Sequence, residues 1–136
     1  MTRKELTDYI FDTWSVEPDC PFPMDDVTCV FRHTDNRKWF GIIMVIPYRT
    51  IGIRREGSVD VLNVKCDPLL AGSLREKPGF CPAYHMNKDK WITVLLDGTA
   101  EREEITALVD MSYRMTEMKE KKPRAGQRNN RRRQDR

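Results

Sequence analysis

The stretch Tyr84-His85-Met86-Asn87-Lys88-Asp89-Lys90-Trp91 runs directly into the apolar segment Ile92-Thr93-Val94-Leu95-Leu96 and the turn Asp97-Gly98. An apolar run rich in β-branched residues and closed by a turn pair predicts a strand over 91–96. The polar stretch before it sets a histidine, two lysines, an asparagine and two aromatics at the start of that strand, where side chains are held firmly and still meet solvent. On the C-terminal side, Ile105, Leu108, Val109, Ser112 and Met115 make a stripe at helical spacing, which predicts a helix from Glu101 to about Met118. On the N-terminal side, Asp67-Pro68 reads as a helix start. Asp67 caps free amides and Pro68 is tolerated in the first turn, leading Leu69, Leu70 and Leu74 into a short helix that Pro78-Gly79 ends.

Further out, Val27, Cys29 and Phe31 alternate with Thr28, Val30 and Arg32, and the polar Thr34-Asp35-Asn36-Arg37 separates them from Trp39 to Ile46. That pattern predicts a β-hairpin. The runs Ile51-Gly52-Ile53 and Val59 to Val64 are expected to continue the sheet around the exposed turn Arg54 to Ser58, in antiparallel pairing because the links are too short for helical crossovers. At the N-terminus, Thr2-Arg3-Lys4-Glu5 is a capping box. Leu6, Tyr9, Ile10 and Trp14 follow it at helical spacing, predicting a helix over about residues 3–15. The prolines of Pro18-Asp19-Cys20-Pro21-Phe22-Pro23 cannot continue that helix and turn the segment into an extended loop. The order helix, strands, helix, strand, helix implies an α+β domain in which helices cover one face of an antiparallel sheet. Val30, Trp39 and Met44 suit either the core or a partner surface.

The chain has 136 residues, 39% hydrophobic and 33% charged, which fits one compact domain. No run of about 18 apolar residues and no apolar leader is present, so a soluble cytoplasmic protein without a membrane span is expected. The net charge of +3 hides a division. Residues 119–136 carry nine Lys or Arg against Glu120 and Asp135, a net of +7, which leaves residues 1–118 at −4. The sequence therefore divides into an acidic domain over 1–118 and a basic tail over 119–136, and the tail has no apolar residue larger than alanine and is expected to be disordered. Cys20, Cys29, Cys66 and Cys81 lack any C-x-x-C spacing. Four free thiols are the plainer expectation, with no metal site.

Several motifs in order carry a family resemblance: Phe22-Pro23, Arg37-Lys38-Trp39-Phe40, Val64-Lys65-Cys66-Asp67-Pro68, His85-Met86-Asn87-Lys88-Asp89-Lys90-Trp91 and Val109-Asp110-Met111-Ser112-Tyr113. Over about residues 3–116 the chain resembles the MmcQ/YjbR family. The family motif falls on His85, Asn87, Lys88 and Trp91, while many relatives have histidine at the position of Lys90. The resemblance implies a two-layer α/β sandwich related to frataxin-like (CyaY-like) and secretion-chaperone-like folds, and the family's designation as DNA-binding proteins.

No nucleophile with a matching base, glycine-rich phosphate loop or metal set is recognisable, so neither an enzyme nor a cofactor is expected. His85 has the makings of a general base beside Lys88 or Lys90, but its residue types equally suit a loop that hydrogen-bonds its own backbone. The carboxylate pairs Asp25-Asp26 and Glu103-Glu104 are adjacent in sequence and point different ways. Arg37, Lys38, Arg54, Arg55, Lys65, Lys88 and Lys90 fall in turns and at strand starts among Trp39, Tyr84 and Trp91, and Arg131, Arg132 and Arg133 lie in the tail. Together they point to non-specific contact with the phosphates of DNA or RNA. The rival expectation is a protein-interaction or chaperone-like adaptor that uses the sheet face. A small-molecule enzyme comes third.

Overall fold

The computed structural model describes residues 1–22 and 27–117. Asp25-Asp26 and the tail, with Arg131, Arg132 and Arg133, lie outside the described residues. Helix α1 spans Arg3–Trp14 and opens on the expected box: Thr2 Oγ1 accepts from the Glu5 amide, and Glu5 Oε1 accepts from the Thr2 amide. Strands β1 (Cys29–Arg32), β2 (Trp39–Pro47) and β3 (Ser58–Lys65) follow, then α2 (Pro68–Leu74), β4 (Phe80–Pro82), β5 (Trp91–Leu95) and α3 (Arg102–Thr116). The five strands form one sheet in the order β1-β2-β3-β5-β4, with every neighbouring pair antiparallel.

Leu6 and Ile10 of α1, Ala71 and Leu74 of α2, and Ile105, Leu108 and Val109 of α3 pack into one buried cluster with Phe31, Phe40, Ile43, Leu62, Val64, Ile92 and Val94. All three helices therefore cover the same face. Opposite Phe31 the register slips by one residue, so that Phe40 is extra. A bulge of this kind turns two successive side chains to one side. Phe40 and Gly41 both face the helices, and Trp39 falls on the other face with Ile42. A Cβ at Gly41 would stand 3.4 Å from both Leu62 and Phe31, which explains the glycine. In α3, Ser112 Oγ accepts from the Lys65 amide at 2.9 Å and donates to the Phe40 carbonyl at 2.7 Å, tying the helix to the ends of two strands.

The structure corrects five expectations. Ile51-Gly52-Ile53 is not a strand: Tyr48–Ile51 form a 3₁₀ turn closed by Gly52 at φ 80°, and Ile51 and Ile53 pack over Ile46, Val59, Val61, Cys81 and Leu95 on the sheet's second face. Helix α2 stops at Leu74, ahead of Pro78-Gly79, and its Leu69 is 86% exposed. Met115 is exposed too, because the buried stripe of α3 steps four residues from Ser112 to Thr116. Residues 80–82, left without an element in the sequence reading, form the edge strand β4.

The cysteines, fifth, are not four free thiols. Asp19 and Val30 exchange both backbone hydrogen bonds, so the proline-rich segment runs beside β1 and sets Cys20 opposite Cys29. The pair next to a doubly bonded one is the closer kind in an antiparallel ladder. With Cα atoms 4.1 Å apart the two cysteines form a disulfide, and Cys66 and Cys81 remain as buried free thiols. Among the described residues no helix is long and apolar enough to cross a membrane.

Candidate nucleic-acid interface

On the second face, four strands bring one residue each to the end of the sheet where β1 and β3 finish and β2 and β5 begin. Arg32 stands opposite Trp39, and Lys65 opposite Trp91. The order across the sheet is therefore Arg32, Trp39, Lys65, Trp91, a row that alternates cation and aromatic ring. All four are partly exposed. The Arg32 guanidinium lies 5.7 Å from the Trp39 ring centre and pairs with Asp19 at 2.9 Å, which fixes one end of the row.

Behind this row, Asn63 and Thr93 are fully buried cross-strand neighbours. Thr93 Oγ1 donates to Asn63 Oδ1 at 2.5 Å and accepts from the Tyr84 amide at 2.9 Å, while Asn63 Nδ2 donates to the Tyr84 carbonyl at 2.9 Å. Two buried side chains thus hold both backbone groups of Tyr84. Each polar atom buried there has a partner, as the low dielectric requires. The consequence is a fixed platform for the next residue. His85 adopts left-handed backbone geometry (φ 59°), and its exposed imidazole stacks on the Tyr84 ring with centres 3.9 Å apart and planes 15° from parallel.

The rest of the motif is partly self-engaged. Asn87 Oδ1 accepts from the Asp89 amide, and the Asn87 carbonyl accepts from the amides of Lys90 and Trp91, so Asn87 builds the turn that starts β5. Lys88 Nζ donates to the Ala83 carbonyl at 2.8 Å, which closes the same loop. A cleft of about 290 Å³ opens between this loop and the 3₁₀ turn, lined by Thr50, Ile51, Cys81, Tyr84, His85 and Lys88. Burial, with Asp97 adding to it, pushes the Cys81 thiol up, which keeps it protonated at neutral pH and unlike an activated nucleophile. Among the described residues no three His, Cys, Asp or Glu side chains gather as a metal set.

The β1–β2 turn carries Arg37 and Lys38 at this same end of the sheet. It also grips α3. His33, 2% exposed, places Nε2 2.8 Å from Thr116 Oγ1, and Asn36 Nδ2 donates to the Thr116 carbonyl at 2.9 Å. The chain therefore leaves α3 toward the basic tail beside Arg37 and Lys38. The sequence reading passed over His33, whose burial lowers its pKa and keeps the ring neutral. Its only sequence signal was its place straight after a strand.

Arg54 and Arg55 do not join this group, because the β2–β3 connection lies at the opposite end of the sheet. Arg55 is also occupied: it reaches Asp97 at 3.9 Å and lies over the Tyr48 ring at 4.8 Å. Burial pushes the Asp97 carboxyl up, but hydrogen bonds from Thr99 and Tyr48 outweigh it and hold the group below its usual range. Among the described residues Arg37, Lys38, Lys65, Lys88 and Lys90 make no ion pair, whereas Arg3, Lys4, Arg32, Lys77 and Arg102 each do. Of the acids at this end, Asp19 pairs with Arg32, Asp35 and Asp67 turn their carboxylates onto nearby amides, Asp89 sits between Lys88 and Lys90, and Glu117 follows α3 near His33.

The family model for YjbR matches residues 3–115. The chain belongs to the YjbR family. The uncharacterised protein YyaQ of Bacillus subtilis (strain 168) is 33% identical over 116 residues, which covers 85% of this chain and 98% of that protein. A Pseudomonas syringae protein known from a crystal structure is 45% identical and superposes with a TM-score of 0.84, covering 86% of this chain and 100% of that one. The crystal structure of protein DR2400 of Deinococcus radiodurans, with a DUF419 domain, gives a TM-score of 0.62 at 26% identity, over 93% of this chain and 86% of that one. The YjbR match stops one residue short of Thr116, so the basic tail lies beyond the matched residues.

Proposed function

We propose that this YjbR domain contacts nucleic acid at the sheet end that carries Arg37, Lys38, Lys65, Lys88 and Lys90, with the basic tail adding charge from the adjacent end of α3. The observation that carries this reading is the convergence of unpaired cations, aromatic rings and the tail's point of departure on one end of one sheet. Cations already matched by carboxylates, Arg32 at this end among them, have little left for a phosphate, whereas Arg37, Lys38, Lys65, Lys88 and Lys90 make no ion pair among the described residues. The net charge of −4 over residues 1–118 opposes a polyanion at long range, and the +7 of the tail offsets it. Contacts of this kind go to phosphates, release counterions and carry little sequence preference. Arg54 and Arg55 are no part of the site in this reading.

The adaptor reading is less well supported, because the second sheet face is largely covered. Tyr48, Ile51, Ile53 and Tyr84 lie over its apolar middle, leaving no open face of the kind a chaperone would lend to a partner strand or helix.

Binding to duplex and single-stranded DNA and to RNA, followed against salt for the whole chain and for a chain truncated after Met118, tests the proposal. Association at low salt that weakens steeply as salt rises is expected, with truncation lowering the affinity and Lys65→Gln lowering it further. Absence of binding at low salt contradicts the reading.

A further inference from the structure

We infer that the interface takes single-stranded nucleic acid, its bases stacking on Trp39, Trp91 and the outer face of His85 while its phosphates meet Lys65 and Lys90. The inference rests on the nucleic-acid reading above and adds to it the state of the ligand. Bases in a duplex have their faces occupied by neighbouring pairs, so exposed rings gain nothing from duplex DNA. An unpaired base leaves both faces open, and rings interleaved with cations suit a strand whose bases and phosphates alternate.

The row across the second face has that alternation. Trp39 on β2 and Trp91 on β5 flank β3, so at ordinary strand spacing they stand about 10 Å apart with Lys65 between them. Two bases of a stretched strand can occupy the two rings with a phosphate over the lysine. Trp14 differs sharply: its ring stacks on Tyr113 at 4.1 Å and packs edge-on to Phe40 on the helix face, which commits it to the core. His85 extends the platform into the β4–β5 loop. A non-glycine residue in left-handed geometry persists where its surroundings impose it, and here the Asn63–Thr93 grip on Tyr84 does so, presenting an imidazole whose inner face is already covered.

The test uses the whole chain and three probes of about 15 nucleotides: oligo(dT), oligo(rU) and a mixed-sequence duplex, at matched salt. Oligo(dT) or oligo(rU) is expected to bind about ten-fold or more tighter than the duplex and to quench tryptophan emission, and a preference between the two identifies the sugar. Trp91→Leu, which keeps an apolar side chain but removes the ring, is expected to weaken strand binding about five-fold or more, while Trp91→Phe keeps most of it. His85→Ala, on an exposed side chain, is expected to weaken strand binding in a protein that melts like the parent, so the test survives if Trp91→Leu fails to fold. Duplex binding as tight as strand binding, or strand binding without quenching, overturns this inference and leaves the nucleic-acid reading standing. Binding of none of the probes at low salt overturns both.

Discussion

His33 Nε2 and Thr116 Oγ1 lie 2.8 Å apart across 83 residues of sequence, and through this contact the β1–β2 turn holds the last turn of α3. Burial lowers the His33 pKa below its ordinary 6.5. As pH falls through 6.5 the unfolded chain takes up a proton that the folded protein resists, so stability is lost below that value until the folded pKa is passed. Urea midpoints are expected to be level above about pH 7 and to fall from pH 6.5 downward. In His33→Gln that early slope disappears. Carboxylates such as Asp97, held below its ordinary 3.8, act only at lower pH.

Asn63 is expected to matter for stability beyond its size. Asn63→Ala strips a partner from the part-buried Tyr84 carbonyl and from the buried Thr93 Oγ1. A loss of about 1–3 kcal/mol is expected in urea unfolding. Thr93→Val, at the same network, is expected to give a loss of the same order, and the double variant less than the sum, because the two side chains share one network.

Gly79 and Gly98 both have positive φ, near 90°, but only Gly79 is crowded: a Cβ there would stand 2.9 Å from the Ala100 amide nitrogen. Gly79→Ala is therefore expected to lower the melting temperature well beyond the effect of Gly98→Ala, which pays only for backbone strain. Equal effects of the two would show that the contact with Ala100 relaxes at no cost.

Under non-reducing conditions the denatured protein is expected to release two reactive thiols, from Cys66 and Cys81, and after reduction four. With Cys20 and Cys29 nine positions apart in sequence, a short loop of this kind stabilises by roughly 2–3 kcal/mol on chain-entropy grounds. Cys20→Ser, measured against the parent in urea without reductant, reads that difference. Four reactive thiols before reduction would contradict the bridge.

Much of the framework was legible because local signals agreed with tertiary demands. The Thr2/Glu5 box, Asp67-Pro68 and the strand at 91 each carry their own capping or patterning chemistry, and each fell where the sequence put it. Other features depend on register, which composition does not reveal. The disulfide follows from the pairing of Asp19 with Val30, β4 from pairing with β5, and the fate of Ile51 and Ile53 from the need to cover Val59 and Val61. The candidate site was half legible for the same reason. Lys65, Lys88, Lys90 and Trp91 were recognisable by type, but only the sheet order separates them from Arg54 and Arg55 and sets Arg32 and Trp39 in their row.

The central claim is tested most directly by the salt dependence of oligo(dT) binding in the whole chain and in the Lys65→Gln/Lys90→Gln variant. A linear fall of log K with log salt is expected, with a slope shallower by about 1.4 in the variant, because each phosphate contact on a single strand contributes about 0.7. Equal slopes in the two proteins would remove these lysines from the interface, and no binding at low salt would contradict the account.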